Sequence, residues 1–250
     1  MEIKKLSKSE EKLSFLIKGI NYSIANAIRR SVLEIPTLAI DTVEFYKNDS
    51  ALYDEILAHR LGLIPLKAPK TFTSREKCSC KGKGCMKCTA LLKLKAQGPK
   101  TVYSSELKGK GVEVVYKDMP VVILAKDQEL ELVAEATLGT GRQHAKHTPG
   151  LLWFNAVPIV KEIKQAEKAV KVSPQEFEKI KKNDLKTCQD YLNEIVESDN
   201  KFLKIEASDT DFIFFIESFG QLSPEEIFLE AINSMNENLE DLAKALKKEK

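Results

Sequence analysis

Apolar positions change period several times along the chain, and each change marks an element. Near the start, Leu13, Phe15 and Ile17 share one face of a short half-buried strand that stops at Gly19. The period then lengthens to that of a helix. Ile24, Ala25, Ile28 and Val32 make one stripe, Asn21 or Ser23 stands where a cap belongs, and Pro36 closes the segment. Arg29 and Arg30 flank the stripe, either as solvated charge or as a specific contact. Alternation returns over 38–45 with Leu38, Ile40, Val43 and Phe45. Residues 53–61 are helical through Ile56, Leu57, Arg60 and Leu61, and stop at Gly62 and Pro65.

Residues 67–87 are rich in Lys, Ser and Gly and have no period, and strand-like runs follow at 91–95, 112–116, 121–124 and 130–137. Gly139, Gly141, Pro149 and Gly150 mark a long loop, after which 151–160 is apolar again, with Pro158 limiting its length. In the last third, Ser173-Pro174-Gln175-Glu176 is a capping box that opens a helix through Phe177, Ile180, Leu185 and Leu192. Residues 202–205 and 212–216 read as two strands around the turn Asp209-Thr210-Asp211. Ser223-Pro224-Glu225-Glu226 is a second capping box, with proline where its missing N–H costs nothing. Behind it Phe228, Ile232, Met235, Leu239, Leu242 and Leu246 recur at alternating spacings of four and three, a heptad seam that runs toward the basic end 247–250. The sum is an α+β chain with strands and helices at both ends and a β-rich middle.

Composition narrows what such a chain does. Its 250 residues are 43% hydrophobic and 30% charged, the profile of a folded globular protein. A net charge of +2 lacks the basic excess of a domain that coats DNA or RNA, so nucleic-acid contact is expected to be local or to belong to a partner. Neither a membrane-spanning run nor a signal peptide after Met1-Glu2-Ile3-Lys4 is recognisable, and a cytoplasmic chain without membrane contact is expected.

Four of the five cysteines lie close together, as Cys78-Ser-Cys80-Lys-Gly-Lys-Gly-Cys85-Met-Lys-Cys88, while Cys188 stands alone as an ordinary thiol. Two pairs joined by a glycine-containing turn can converge four thiolates on one tetrahedral ion. Zinc prefers that closed all-sulfur set, and with no position left for water its role is structural. Lys77, Lys81, Lys83 and Lys87 would offset the charge of the thiolates. An iron–sulfur cluster fits the close spacing less well, and a metal-free loop is the third reading. His59, His144 and His147 match no hydrolase spacing, no P-loop, nucleophile elbow or dinucleotide fingerprint occurs, and no catalytic residue is expected. The terminal seam suits either packing on the chain's own sheet or a contact with a second protein.

Several strings carry a family resemblance. The run Asn21-Tyr22-Ser23-Ile24-Ala25-Asn26-Ala27-Ile28-Arg29-Arg30 and the following Ile35-Pro36-Thr37-Leu38-Ala39-Ile40-Asp41 resemble the first helix region of the α-like subunits of cellular RNA polymerases. Asp54-Glu55-Ile56-Leu57-Ala58-His59-Arg60-Leu61-Gly62-Leu63-Ile64-Pro65-Leu66 sharpens the match. It is similar to the archaeal D-type branch of that family, the counterpart of the third-largest subunit of eukaryotic RNA polymerase II. Gln97-Gly98-Pro99, Thr101-Val102-Tyr103-Ser104-Ser105, Gly141-Arg142-Gln143-His144-Ala145-Lys146 and Asp211-Phe212-Ile213-Phe214 extend it over the chain.

The resemblance implies a dimerisation domain built from 1–40 and 151–250, with 166–200 as a helical extra segment, interrupted by a β-rich insert at 41–150. It implies that Ile24, Ile28, Arg29 and Val32 of the first helix, with Phe228, Ile232, Met235, Leu239, Leu242 and Leu246, face a smaller α-like subunit, L in archaea. The pair would be the platform for the large catalytic subunits and the small subunits N and P, with DNA reached only through the assembled complex and polymerisation left to the large subunits. Some archaeal members hold an iron–sulfur cluster in the extra segment. Here that stretch has only Cys188, so no cluster is expected there. Cys78, Cys80, Cys85 and Cys88 are all present, as in the zinc loop of eukaryotic counterparts. Two other classes of function remain to be weighed: a free-standing zinc-dependent nucleic-acid module using Lys81, Lys83 and Lys87, and a redox protein with an iron–sulfur cluster at 78–88.

Overall fold

A computed structural model describes residues 1–69, 71–163 and 203–248. The described elements are β1 (Glu2–Lys8), β2 (Lys12–Lys18), α1 (Tyr22–Ser31), β3 (Thr37–Asn48), α2 (Asp54–Gly62), β4 (Leu66–Lys67), β5 (Thr89–Gln97), β6 (Lys100–Tyr103), β7 (Lys108–Gly109), β8 (Glu113–Val114), β9 (Pro120–Leu124), β10 (Glu129–Gly139), β11 (Gly150–Ile163), β12 (Leu203–Ser218) and α3 (Pro224–Lys248). The sheets have the orders β1-β2-β12-β11 and β3-β10-β5-β7, with two small pairs, β4-β8 and β6-β9. The α+β class read from the sequence is the observed one. The expected helix at 173–192, Cys188 and the stretch 166–200, where no cluster is expected, lie outside the described residues.

The chain divides into two compact units. The first comprises Met1–Ser7, Ser14–Asn26 and Trp153–Phe215. Its strands β2, β11 and β12 carry aromatic or aliphatic side chains on both faces, because successive side chains alternate. Phe15 and Phe214 stack with centroids 5.6 Å apart, Phe154 packs beside Phe214 and edge-on to Phe212, and Tyr22 meets Phe154 and Phe212 edge-on. Leu16, Val157 and Ile213 form a second cluster with Phe215, on which Trp153 stacks. Asn21 caps α1, accepting the Ile24 N–H at 2.9 Å.

The sequence pattern and the structure part in three places here. The run 202–216 is not two strands, for β12 is continuous across the acidic triplet. Ser208 Oγ accepts from the N–H groups of Thr210 and Asp211, and Asp211 Oδ1 accepts from the Gly19 N–H at 3.3 Å. The polar groups therefore close the end of β2 instead of turning the chain. Pro158 does not limit β11, which runs from Gly150 to Ile163. It is the edge strand of its sheet, where a missing N–H is tolerated. Strand β1 carries no apolar alternation to read, because all seven of its residues are exposed.

The second unit comprises Lys8–Leu13, Ala27–Leu152 and Ile216–Lys250. β10 pairs antiparallel with β3 on one side and β5 on the other. Leu92 and Leu94 from β5, Leu130 and Leu132 from β10, and Leu38 and Ile40 from β3 point into one core, which Leu57 and Leu61 of α2 help to close. Ser223 and Glu226 form the reciprocal cap of α3, Ser223 N–H to Glu226 Oε2 at 2.9 Å and Glu226 N–H to Ser223 Oγ at 3.3 Å. From that cap α3 buries Pro224, Ile227 and Ala231 and packs on the 3-10 turn Val32–Glu34.

Candidate metal centre and assembly surface

Residues 78–88 fold into two short turns. The N–H groups of Lys81 and Lys83 donate to the carbonyls of Cys78 and Cys80, and the Cys88 N–H donates to Cys85 O at 2.9 Å. Lys81, Gly82 and Gly84 all have positive φ, which aims the first cysteine pair back toward the second. The loop is anchored at its far end, because Thr89, the residue after Cys88, begins β5. Cys78 and Cys88 are buried, and Cys80 and Cys85 are half-buried.

The four sulfurs lie within 4.8 Å of one another. Cys78 and Cys85 are 3.5 Å apart, Cys80 and Cys88 3.6 Å, and Cys85 and Cys88 3.8 Å. Tetrahedral zinc with Zn–S bonds of about 2.3 Å needs sulfurs about 3.8 Å apart. The donors therefore match a single tetrahedral ion, and these spacings are far too long for disulfides. The Cys85 N–H points at Cys88 Sγ at 3.3 Å, a donor that favours a thiolate there. Hydrogen bonds from the Cys80 backbone and thiol lower the Cys78 thiol to about 6, whereas burial and the neighbouring Cys78 push Cys80 up to about 11. The group thus holds negative charge and shares protons that a cation would displace.

Sequence reasoning did not foresee the residues that brace this loop. Arg75 Nη2 donates to Glu135 Oε1 at 2.5 Å, joining the approach to Cys78 with the middle strand β10. The partners are sixty residues apart, and neither sits in a motif. Lys146 likewise reaches Asp41 Oδ1 at 2.9 Å. Of the histidines, His147 is buried, with Nδ1 2.9 Å from the Thr37 carbonyl oxygen. A Cβ at Gly139 would collide with its ring. His144 Nδ1 accepts from the Lys146 N–H. Both rings serve structure.

The seam residues fall into two groups. Phe228, Ile232 and Met235 are half-buried, whereas Leu239, Leu242 and Leu246 are 56%, 57% and 59% exposed. In α1, Ile28 and the adjoining Val32 are buried, and Ile24 and Arg29 are exposed. Over its first two turns the other face of α3 is occupied, with Ile227 and Ala231 at 0% exposure, and farther along the exposed Asn238 donates from Nδ2 to the Glu34 carboxylate. No helix among the described residues is long and apolar enough to cross a membrane.

This α+β chain, whose cysteine loop feeds a four-stranded sheet, matches the family described as the RNA polymerase Rpb3/RpoA insert domain over residues 34–157. DNA-directed RNA polymerase subunit Rpo3 of Pyrococcus horikoshii is 38% identical over 239 residues, covering 91% of this chain and 90% of the relative. The Rpo3 proteins of Methanothermobacter thermautotrophicus and Halobacterium salinarum are 33% and 31% identical and cover 97% and 98% of this chain, and 97% of each relative. The chain belongs to the Rpo3 family of DNA-directed RNA polymerase subunits.

Proposed function

We propose that the chain is a non-catalytic assembly subunit which pairs with a smaller α-like subunit. In this reading the outer face of α3 and the exposed side of α1 form the contact, and the pair is the platform for the large catalytic subunits and the small subunits N and P. Residues 1–40 and 151–250 make the dimerisation domain and 41–150 the insert. DNA is engaged only by the assembled enzyme, in the cytoplasm.

The observation that carries the reading is the exposed heptad end of α3. Three leucines at successive seam positions are more than half exposed on the part of α3 that runs on past its packed start at Ile227 and Ala231. Contiguous apolar surface of this kind is costly in water and marks a protein contact. Helix-to-helix packing at spacings of four and three is what such a stripe accepts.

Cys78, Cys80, Cys85 and Cys88 would hold one structural zinc. The ion would supply no chemistry beyond tying residues 78–88 into a closed loop against β5. Sulfurs this close favour a single ion over an iron–sulfur cluster, whose ligands stand farther apart. A native-salt pull-down of the tagged chain from its own cells, with mass analysis of everything retained, tests the assembly reading. Two very large chains with several of roughly 10 kDa are expected, as polymerase assembly requires. Recovery of the chain alone, or with nucleic acid only, would overturn it.

A further inference from the structure

Around the cysteine loop the cations are unequal. Lys77, Lys81, Lys83 and Lys87 are all exposed, so water and salt screen their charges. Arg75 is different: it is half-buried, and Glu135 fixes its guanidinium. Glu135 sits in the middle of β10, opposite Leu91 of β5 and Thr42 of β3. The Arg75 Nε is also buried and has no hydrogen-bond partner. An orphaned donor on a cation is costly unless negative charge lies beside it.

The guanidinium lies directly over the metal loop. Gly84 has φ +82°, and a Cβ there would come within 2.9 Å of Arg75 Nη2 and 3.3 Å of Thr89 Oγ1. Glycine is therefore needed at this position both for its backbone angle and for the room that Arg75 takes. Arg75, Glu135, Gly84, Cys85 and Met86 are among the residues that line one cavity of about 430 Å³. Four thiolates around a divalent ion form a dianion, and a fixed, partly desolvated arginine acts on such a charge far more strongly than a solvated lysine.

We propose that Arg75 is the positioning residue of the metal centre: clamped by Glu135 over the Gly84 turn, it balances the metal–thiolate charge and ties metal occupancy to strand β10. This rests on the zinc reading above. Metal loading then fixes more than the loop, since the same guanidinium grips the sheet, and loss of the ion leaves Glu135 as the negative partner holding it there.

The test uses the full-length chain loaded with zinc, with affinity read by competition against a chromophoric chelator. Arg75→Gln is expected to weaken zinc binding by about 10- to 100-fold, the usual effect of losing an outer partner of a metal site. Arg75→Lys should recover only part of it, because a point charge replaces a planar fork. Glu135→Gln should weaken binding in the native background and add nothing on top of Arg75→Gln. In the cobalt-loaded protein, Arg75→Gln should also shift the sulfur-to-cobalt absorption band, which a purely structural brace would leave in place. If Arg75→Gln does not fold, Arg75→Lys and Glu135→Gln carry the same comparison. Unchanged zinc affinity in the variants, with zinc held by the parent chain, would overturn this proposal alone. A parent chain without stoichiometric zinc would overturn the metal reading and this proposal with it.

Discussion

His147 and Thr37 are bonded twice: the His147 ring Nδ1 lies 2.9 Å from the Thr37 carbonyl oxygen, and the Thr37 hydroxyl donates to the His147 carbonyl. The pair pins the loop after β10 to the start of β3, and burial lowers the pKa of the imidazole below its usual 6.5. The ring is neutral in the fold and takes up a proton more readily when the chain unfolds. Its contribution to stability is therefore present above about pH 6.5 and is lost as the pH falls through the lowered value. Asp41, whose hydrogen bond from Lys146 holds it below 3.8, acts in the same direction only at still lower pH. Thermal unfolding should show a midpoint that falls between pH 7.5 and 5. His147→Gln should lower the midpoint at both and flatten the difference, and an equal slope in the variant would remove His147 as its source.

Cys85→Ala takes one of four donors from the metal centre. The chain should lose its zinc and the loop 78–88 should become susceptible to protease, because the ion ties a local loop. Capture of the smaller α-like subunit should persist, since the proposed seam lies on α3. Metal analysis, limited proteolysis and pull-down on one preparation separate these effects, and loss of capture would place the loop in the contact.

Leu239 and Ala231 share a helix but differ in burial, 56% against 0% exposed. Leu239→Asp should abolish pairing by placing an unpaired charge in the contact, while the free chain keeps its stability to within about 0.5 kcal/mol, as surface changes do. Ala231→Asp should instead destabilise the free chain by several kcal/mol, because the charge has no room and no partner. Pairing that survives Leu239→Asp would remove this face from the interface.

Ser223→Ala deletes the hydroxyl that receives the Glu226 N–H. Loss of such a cap costs about 1 kcal/mol. Chemical denaturation should report that decrease, and Ser223→Asp should restore most of it by supplying another acceptor at the same position.

The elements that are legible in the sequence are those whose local pattern and packing agree. Ser223 and Glu226 announce the start of α3, and the alternation of Leu92 and Leu94 with Lys93 and Lys95 marks β5, whose buried and exposed positions follow it. β12 is easily misjudged because Asp209-Thr210-Asp211 has turn chemistry, and only the Gly19 amide, nearly two hundred residues away, shows where its polar groups go. The four cysteines are legible because their spacing is itself the geometry of a metal site. Arg75 and Glu135 are not: one precedes the cysteine run, the other faces outward on an alternating strand, and only the fold brings them together. The stripe on α3 is visible as a pattern, but which of its leucines stay exposed depends on how far along the helix the rest of the chain reaches.

That reach is short. Every residue of α3 from 236 to 248 is exposed, a stretch of about 18 Å at 1.5 Å per residue. A helix end supported by so little of its own chain frays readily, and frayed ends are where proteases cut first. In the proposed assembly the missing support comes from another polypeptide, so the lifetime of each copy in the cell follows the supply of that polypeptide. On that reading, copies made in excess of the partner would be the ones left open to degradation, and the exposed end of one helix would hold the two subunits near equal number.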